Sequence, residues 1–303
     1  MIDDHASESK SRFVRQFDYV RKQDQDDLFL LYHLNSDIVP DGTSSITFDE
    51  KIGSDFVSKA KAKRTADIIC WTGELTPRSE LAPVDIIPMN RRSIQTRTSI
   101  ERLICDRRSL RDTVKHEVPL DALSFVLENS MGITYEGHMV DIRGAKRKTQ
   151  FRAAPSGGGL FPMECYLFPL TVKDVPFGLY HYSTETHSLE RLRRSISDEE
   201  LARAFLHDSN VLNAAAIFMY AARFQRTSLK YGERCYRFIL LETGCIIQNM
   251  ILSAEALGLR GVPLGGYVDG MLNEIIGCGV PEDAVVMCGA FGKSGPGELK
   301  SNV

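Results

Sequence analysis

Residues 236–257 read YRFILLETGCIIQNMILSAEAL, and the reading of this stretch decides the fold. Apolar side chains recur at helical spacing over roughly six turns, and Gly258 follows where a helix end favours glycine. The stretch is apolar most of the way round, which predicts a helix buried at the centre of a domain. Such a helix needs layers to cover it. Before it, Ala214 to Ala222 (AAAIFMYAA) is an unbroken apolar run with a β-branched and aromatic centre, which predicts a buried strand. After it, Ala284 to Ala290 (AVVMCGA) predicts another. Further upstream, Glu164 to Val172 and Gly178 to Tyr182 read as strands. Ser197 and Glu200 have capping-box spacing for a helix through Leu201 and Phe205. Pro119 opens a helix through Leu120, Leu123 and Leu127, with Gly132 at its stop. Helices, strands, helix, strand, helix, strand is not a regular βα alternation, so the order predicts an α+β sandwich.

The chain has 303 residues, 43% of them hydrophobic and 25% charged, which suffices for a sizeable core. A net charge of -3 gives no basic face for nucleic acid. A local basic run, Arg143 to Lys148, reads as a solvated loop. Seven cysteines without CxxC spacing argue against both a disulfide framework and a zinc site, so no metal is expected. The N-terminus is polar and acidic, unlike a signal peptide, and no uninterrupted apolar run of about 18 residues occurs. A cytoplasmic protein without a membrane span is therefore expected. The chain divides into residues 1–95 and 96–303. The first part has short amphipathic turns on Phe13, Phe17 and Val20 and on Ile52, Phe56 and Ala60. Between them, Asn35 to Ser45 reads as loop, and Pro77, Pro83 and Pro88 then mark an extended, irregular segment.

Five segments could carry chemistry. Arg107-Arg108-Ser109-Leu110-Arg111 offers three guanidinium groups and a hydroxyl, read at the start of a helix as a phosphate clamp. RAAPSGGGLFPME, residues 152–164, has three glycines between Pro155 and Pro162 that let backbone approach a flat ligand. The Ser156 hydroxyl can reach ring heteroatoms. LKYGERCYRF, residues 229–238, sets Lys230 beside Tyr231 between a buried strand and a buried helix. Gly258 to Tyr267 holds a glycine pair, Gly265-Gly266, and is equally an ordinary helix-ending turn. Lys293 follows the last strand, as a phosphate point charge or a solvated end.

In this order, with GLYHY (178–182), LETGCIIQNMILSAEALGL (241–259) and GGY (265–267), the segments resemble the nitroreductase superfamily. The closer resemblance is to its SagB/ThcOx-type azoline dehydrogenases, over about residues 100–293. Before that, only Tyr32-His33 matches. The resemblance implies a three-layer, FMN-binding α+β fold, built as an intertwined homodimer with FMN at the interface. The N-terminal region would be a small extension that docks partner or substrate. Arg107, Ser109, Arg111 and Lys293 would hold the FMN phosphate. Pro155, Ser156 and Gly157 would line the isoalloxazine from the partner subunit. Gly265 and Gly266 would bring backbone to its reactive edge, and Lys230 and Tyr231 would be the catalytic pair. Two positions depart from the pattern: Phe161 stands where tyrosine is usual, and Cys245 where histidine is common.

The implied reaction oxidises peptide thiazolines and oxazolines to thiazoles and oxazoles. A proton would leave to Tyr231 or Lys230, a hydride to flavin N5, and the electrons to dioxygen. Implied partners are an azoline-bearing peptide, a cyclodehydratase and a leader-binding protein. Two alternatives stay open: an NAD(P)H-dependent nitroreductase or quinone reductase, and a flavin-free structural subunit of a peptide-modifying complex.

Overall fold

The computed structural model describes residues 83–140, 146–278 and 283–296. The helical turns expected around Phe13 and Ile52, the Asn35–Ser45 loop and Tyr32-His33 lie outside the described residues.

The centre of the molecule is an antiparallel sheet. Its strands are β1 (Pro83–Pro88), β2 (Thr113–Val114), β5 (Met163–Pro169), β6 (Tyr180–Ser183), β7 (Ser188–Leu192), β8 (Ala216–Arg223), β9 (Arg260–Leu264) and β10 (Asp283–Ser294). They run in the order β1-β7-β6-β5-β8-β10-β2, and β9 also pairs with β10. β1 falls within residues 1–95, yet it forms an edge strand paired with β7. A separate hairpin, β3 (Ile133–Val140) with β4 (Lys146–Arg152), stands apart from the sheet.

The alternation along β8 shows why its sequence is apolar without a break. Phe218, Tyr220 and Ala222 belong to one core, and Ile217, Met219 and Ala221 to the other. Successive side chains of a strand point to opposite faces, so a continuous apolar run means both faces are covered. One face is covered by α2 (Leu120–Met131) and α6 (Cys235–Ala256), which pack on each other. The other is covered by α3 (Asp198–Ala204), α4 (Ser209–Leu212) and α7 (Asp269–Ile275). The result is the expected α+β sandwich in three layers. The Ser197–Glu200 capping box is formed in full at the start of α3. Gly132 ends α2 for a steric reason: a Cβ there would lie 2.6 Å from the Glu128 carbonyl oxygen.

Three expectations need correction. α6 is not buried all round: Leu240 is 43% and Leu241 62% exposed, and Gly244 lies on the same open face. Residues Lys146 to Lys148 belong to strand β4 and are no loop; their partners in β3 supply the pairing that composition did not suggest. The third is RRSLR. The helix there, α1 (Ile100–Asp106), precedes the arginines and does not follow them. Arg107 to Arg111 therefore lie past a helix C-terminus, where carbonyls and not N–H groups point outward. Arg108 donates to the carbonyls of Cys105 and Arg107 and so caps that end.

Candidate active site

The glycine turn follows from its neighbours. Gly158 and Gly159 both take φ of +68°, and Phe161 takes +46°. Glycine adopts that left-handed region freely, whereas phenylalanine must be held there. Two hydrogen bonds hold it. The Phe161 N–H donates to Ser156 Oγ at 2.9 Å, and Arg226 Nη1 donates to the Phe161 carbonyl at 3.0 Å. The Arg152 guanidinium sits 5.1 Å from the Phe161 ring centre.

Gly157 and Gly158 rest on different partners. Ser156 faces Glu242 on α6 and favours its charged form. A Cβ on Gly157 would lie 3.3 Å from Phe238 Cβ, one helical turn earlier. A Cβ on Gly158 would lie 2.6 Å from Lys230 Nζ and 2.7 Å from the Tyr231 hydroxyl oxygen. Lys230 and Tyr231 end a short helix, α5 (Phe224–Tyr231), wedged between β8 and α6. The Tyr231 ring meets Phe238 edge-on, with centroids 4.7 Å apart, and Lys230 Nζ lies 5.2 Å from the Tyr231 ring centre. Both residues are half-buried, so they border a surface without leaving it. Two motifs distant in sequence, the glycines and the Lys-Tyr pair, thus form one site.

Beneath the turn lies a buried charge network. Glu164 accepts from Arg226 Nη2 at 2.6 Å and meets His181 Nε2 at 3.0 Å, while His181 Nδ1 meets Glu190 at 2.9 Å. Burial alone would raise the Glu164 carboxyl, but Arg226 and His181 hold it well below the usual carboxylate range. Burial would lower His181, but its bonds to both glutamates push it up to about 9. Glu242, 5% exposed, is different. Burial pushes its carboxyl up to about 7 against the pull of Ser156, Arg152 and Arg226, and its Oε2 has no hydrogen-bond partner among the described residues. Sequence reading passed over Glu242, Arg226 and Arg152. The usable signal was a charged residue set in the middle of an apolar helix.

The expected phosphate residues gather elsewhere. Ser109 bridges to Gly261 of β9, and the Leu110 N–H donates to the Gly261 carbonyl at 3.1 Å. On the other side of β9, Gly292 pairs with Arg260, and Lys293 Nζ donates to the Gly258 carbonyl at 3.1 Å. Ser109 and Lys293 thus flank one strand end, about 10 Å apart by strand spacing. Arg111 is exposed and Arg107 half-buried beside them. Gly261 is required by packing, since a Cβ would lie 2.9 Å from Ile251 Cα of α6. Gly265 and Gly266 are exposed. A Cβ on Gly265 would meet nothing within 4 Å, one on Gly266 only Leu206 Cδ1 at 3.9 Å, and neither has a left-handed φ. Nothing within the chain asks for glycine at either position. Pro155 opens the turn and is exposed.

The two regions lie at opposite ends of α6. The glycine turn packs at Phe238, the β9 end at Ile251, about 20 Å apart along the helix axis.

Comparison with known proteins agrees with this architecture. The profile described as the Nitroreductase family matches residues 104–293, from within α1 to nearly the end of β10. The nitroreductase homologue MJ1384 of Methanocaldococcus jannaschii is 33% identical over 177 residues, covering 58% of this chain and 83% of that protein. The microcin B17-processing protein McbC of Escherichia coli is 32% identical over 124 residues, covering 39% of this chain and 45% of McbC. This chain therefore spans less than half of McbC. A solved structure of the E. coli microcin synthetase McbBCD complex with truncated pro-MccB17 bound matches in fold. The TM-score is 0.50 at 20% identity, over 95% of this chain and 98% of that one. With the family profile running through more than half of its length, the chain belongs to the nitroreductase family.

Proposed function

We propose that this chain is an FMN-dependent azoline dehydrogenase acting on peptide thiazolines or oxazolines. The observation that carries the reading is the contact of Gly158 with both Lys230 Nζ and the Tyr231 hydroxyl. It puts the only candidate acid–base pair of the motif set at the turn expected to line a flavin.

The residues present fit FMN. Gly265 and Gly266 leave an open cradle where a ligand would take the place of a Cβ. Arg107, Ser109, Arg111 and Lys293 would hold the phosphate beside β9, as guanidinium and ammonium donors. Backbone at Pro155, Ser156 and Gly157 would line the ring. The Ser156 hydroxyl oxygen already accepts from the Phe161 N–H, which leaves its proton to donate.

Azoline oxidation removes a proton and a hydride from adjacent ring carbons. FMN, when bound, supplies the hydride acceptor, with dioxygen as final oxidant. The chain's part is the proton. Tyr231 takes it from the α-carbon, which the ring C=N and the neighbouring carbonyl acidify. Lys230 balances the charge on the phenolic oxygen and turns it towards the substrate.

A homodimer is part of the proposal. The ring-lining turn and the phosphate residues are about 20 Å apart in one chain, too far for one mononucleotide to bridge. A site assembled from the turn of one copy and the β9 end of another removes the difficulty. The open face of α6 at Leu240, Leu241 and Gly244 is apolar enough to bury against a second copy. Peptide modification in a complex with a cyclodehydratase and a leader-binding protein, in the cytoplasm, completes the reading. Residues 1–95 would be the docking region, and the likeness to McbC supports a role in peptide modification.

Lys230→Ala and Tyr231→Phe are expected to keep bound FMN and lose oxidation of a cyclised peptide. Wild-type rates in both variants would sink the assignment. The likeness to MJ1384 favours one competing reading, an NAD(P)H-dependent nitroreductase. Rapid bleaching of the flavin by NAD(P)H without peptide would establish that instead.

A further inference from the structure

Phe161 and Pro162 close the glycine turn, and the peptide between them has one hydrogen-bonding handle. Pro162 has no N–H, so that handle is the Phe161 carbonyl. Arg226 Nη1 donates to it at 3.0 Å. Arg226 Nη2 meets Glu164 of β5 at 2.6 Å. The guanidinium is 8% exposed, and both bonds offset the cost of its burial. A fork of fixed shape thus spans the turn and the strand that follows it. Arg226 also stands on α5 four residues before Lys230, about one helical turn away. The helix therefore touches the turn at two points: Arg226 at the Phe161 carbonyl, and Lys230 with Tyr231 at Gly158. Phe161 itself takes a φ of +46°. Ser156 Oγ holds the N–H side of this strained residue at 2.9 Å, and Arg226 holds its carbonyl side.

We propose that Arg226 is a positioning residue for azoline oxidation: by holding the Phe161 carbonyl from α5, it sets the glycine turn against Lys230 and Tyr231 on the same helix. Its effect on turnover rests on the azoline reading, whereas the tie between helix and turn does not. Two contacts fix both the separation and the angle of helix and turn. One contact leaves the turn free to swing about Gly158. Glu164 anchors the guanidinium so that Nη1 stays on the turn. A lysine at 226 keeps a cation for Glu164 but loses the fork. The ionised carboxylate, as the stronger acceptor, takes the ammonium, and the Phe161 carbonyl is released. Arg226→Lys would therefore rescue a role in charge neutralisation alone, and does not rescue one in positioning.

The test uses the full chain. The Gly159 and Phe161 amides both donate to Ser156 and so report on the turn without FMN. Their hydrogen exchange should speed up by about tenfold or more in Arg226→Lys. With FMN and a cyclised peptide, kcat of that variant should fall by about tenfold to a hundredfold, with KM within about twofold of wild type. His181→Gln, which alters the far side of Glu164 and leaves Arg226 on the turn, should keep wild-type exchange and kcat. Should Arg226→Lys not fold, Arg226→Met combined with Glu164→Leu removes the buried ion pair as a pair and preserves the fold. The same exchange and kcat changes are expected of it. Unchanged exchange or unchanged kcat in the variants at 226 overturns the proposal, as does an equal loss in His181→Gln. Faster exchange at 226 variants of a chain whose wild type oxidises no azoline would defeat the azoline reading alone and leave the tie as assigned.

Discussion

Gly158 and Lys230 are so close that no other residue at 158 leaves both where they are. A Cβ at 158 would stand 2.6 Å from Lys230 Nζ, and the Tyr231 hydroxyl is only 0.1 Å further, at 2.7 Å. Gly158→Ala would also carry a left-handed φ, which costs about 1 kcal/mol in a non-glycine residue. The lysine end is flexible and can retreat, so the fold should survive with a loss of that order in urea unfolding. The pair itself would be displaced. The expected result is retained FMN and a fall in azoline oxidation on the order of a hundredfold. An Ala variant with unchanged turnover would show that the contact is incidental.

Glycines in this chain answer to two masters, and substitution can separate them. Gly261 lets β9 pass over α6, with Ile251 Cα 2.9 Å from any added Cβ. Backbone cannot step aside as a side chain can. Gly261→Ala should cost about 1–3 kcal/mol in urea denaturation and should loosen the Ser109 bridge. Gly265→Ala meets nothing within 4 Å and has no left-handed φ to strain. Its unfolding free energy should stay within about 0.5 kcal/mol of wild type, while FMN binding weakens. If Gly265→Ala bound FMN as the wild type does, the cradle would lie elsewhere.

The same contrast shows what the sequence could reveal. The strand at 214–222 was legible because burial on both faces leaves an unbroken apolar signature, and the helix at 236–257 because its apolar side chains recur at helical spacing. The open face of α6 was not, because Leu240 and Leu241 look the same in sequence whether they meet the core or solvent. The β3–β4 hairpin was hidden because Lys146 to Lys148 have the composition of a loop and become a strand only through their partners in β3. RRSLR was legible as a basic cluster, but its composition does not say on which side of it the helix lies. Lys230 and Tyr231 were readable as neighbours. That Gly158 closes over them is a tertiary fact.

The Glu164–His181–Glu190 network makes stability depend on pH. His181 has an ordinary value of 6.5 and is pushed up to about 9 in the folded chain. The folded state therefore holds a proton that the unfolded state has released between those values. Its stabilisation is complete below about 6.5 and is lost as pH rises through about 9, on the order of 3 kcal/mol in all. Glu164 is held low and acts with the opposite sign, its share disappearing as pH falls below the ordinary carboxylate range. Melting temperature should decline between pH 6.5 and 9, and His181→Gln should flatten that decline. A slope identical in the variant would mean that the imidazole carries no proton there.

The open face of α6 carries the last prediction. Leu241 is 62% and Leu240 43% exposed, and neither is needed for the cores that hold the sheet. Gly244 lies one turn on, and a Cβ there would meet nothing within 4 Å. Large apolar side chains beside a helical glycine make a face that another helix can approach closely. If a second copy covers this face, it also joins the glycine turn of one chain to the phosphate residues of the other, which a single chain holds about 20 Å apart. Dimerisation and FMN binding should then fail together. Leu241→Glu, a charge that the free surface tolerates and a buried interface does not, should give a monomer in sedimentation with unchanged circular dichroism and little bound FMN. A folded monomer that retains FMN would show that one chain makes the whole site. A dimer that persists in Leu241→Glu would place the contact between copies on another face.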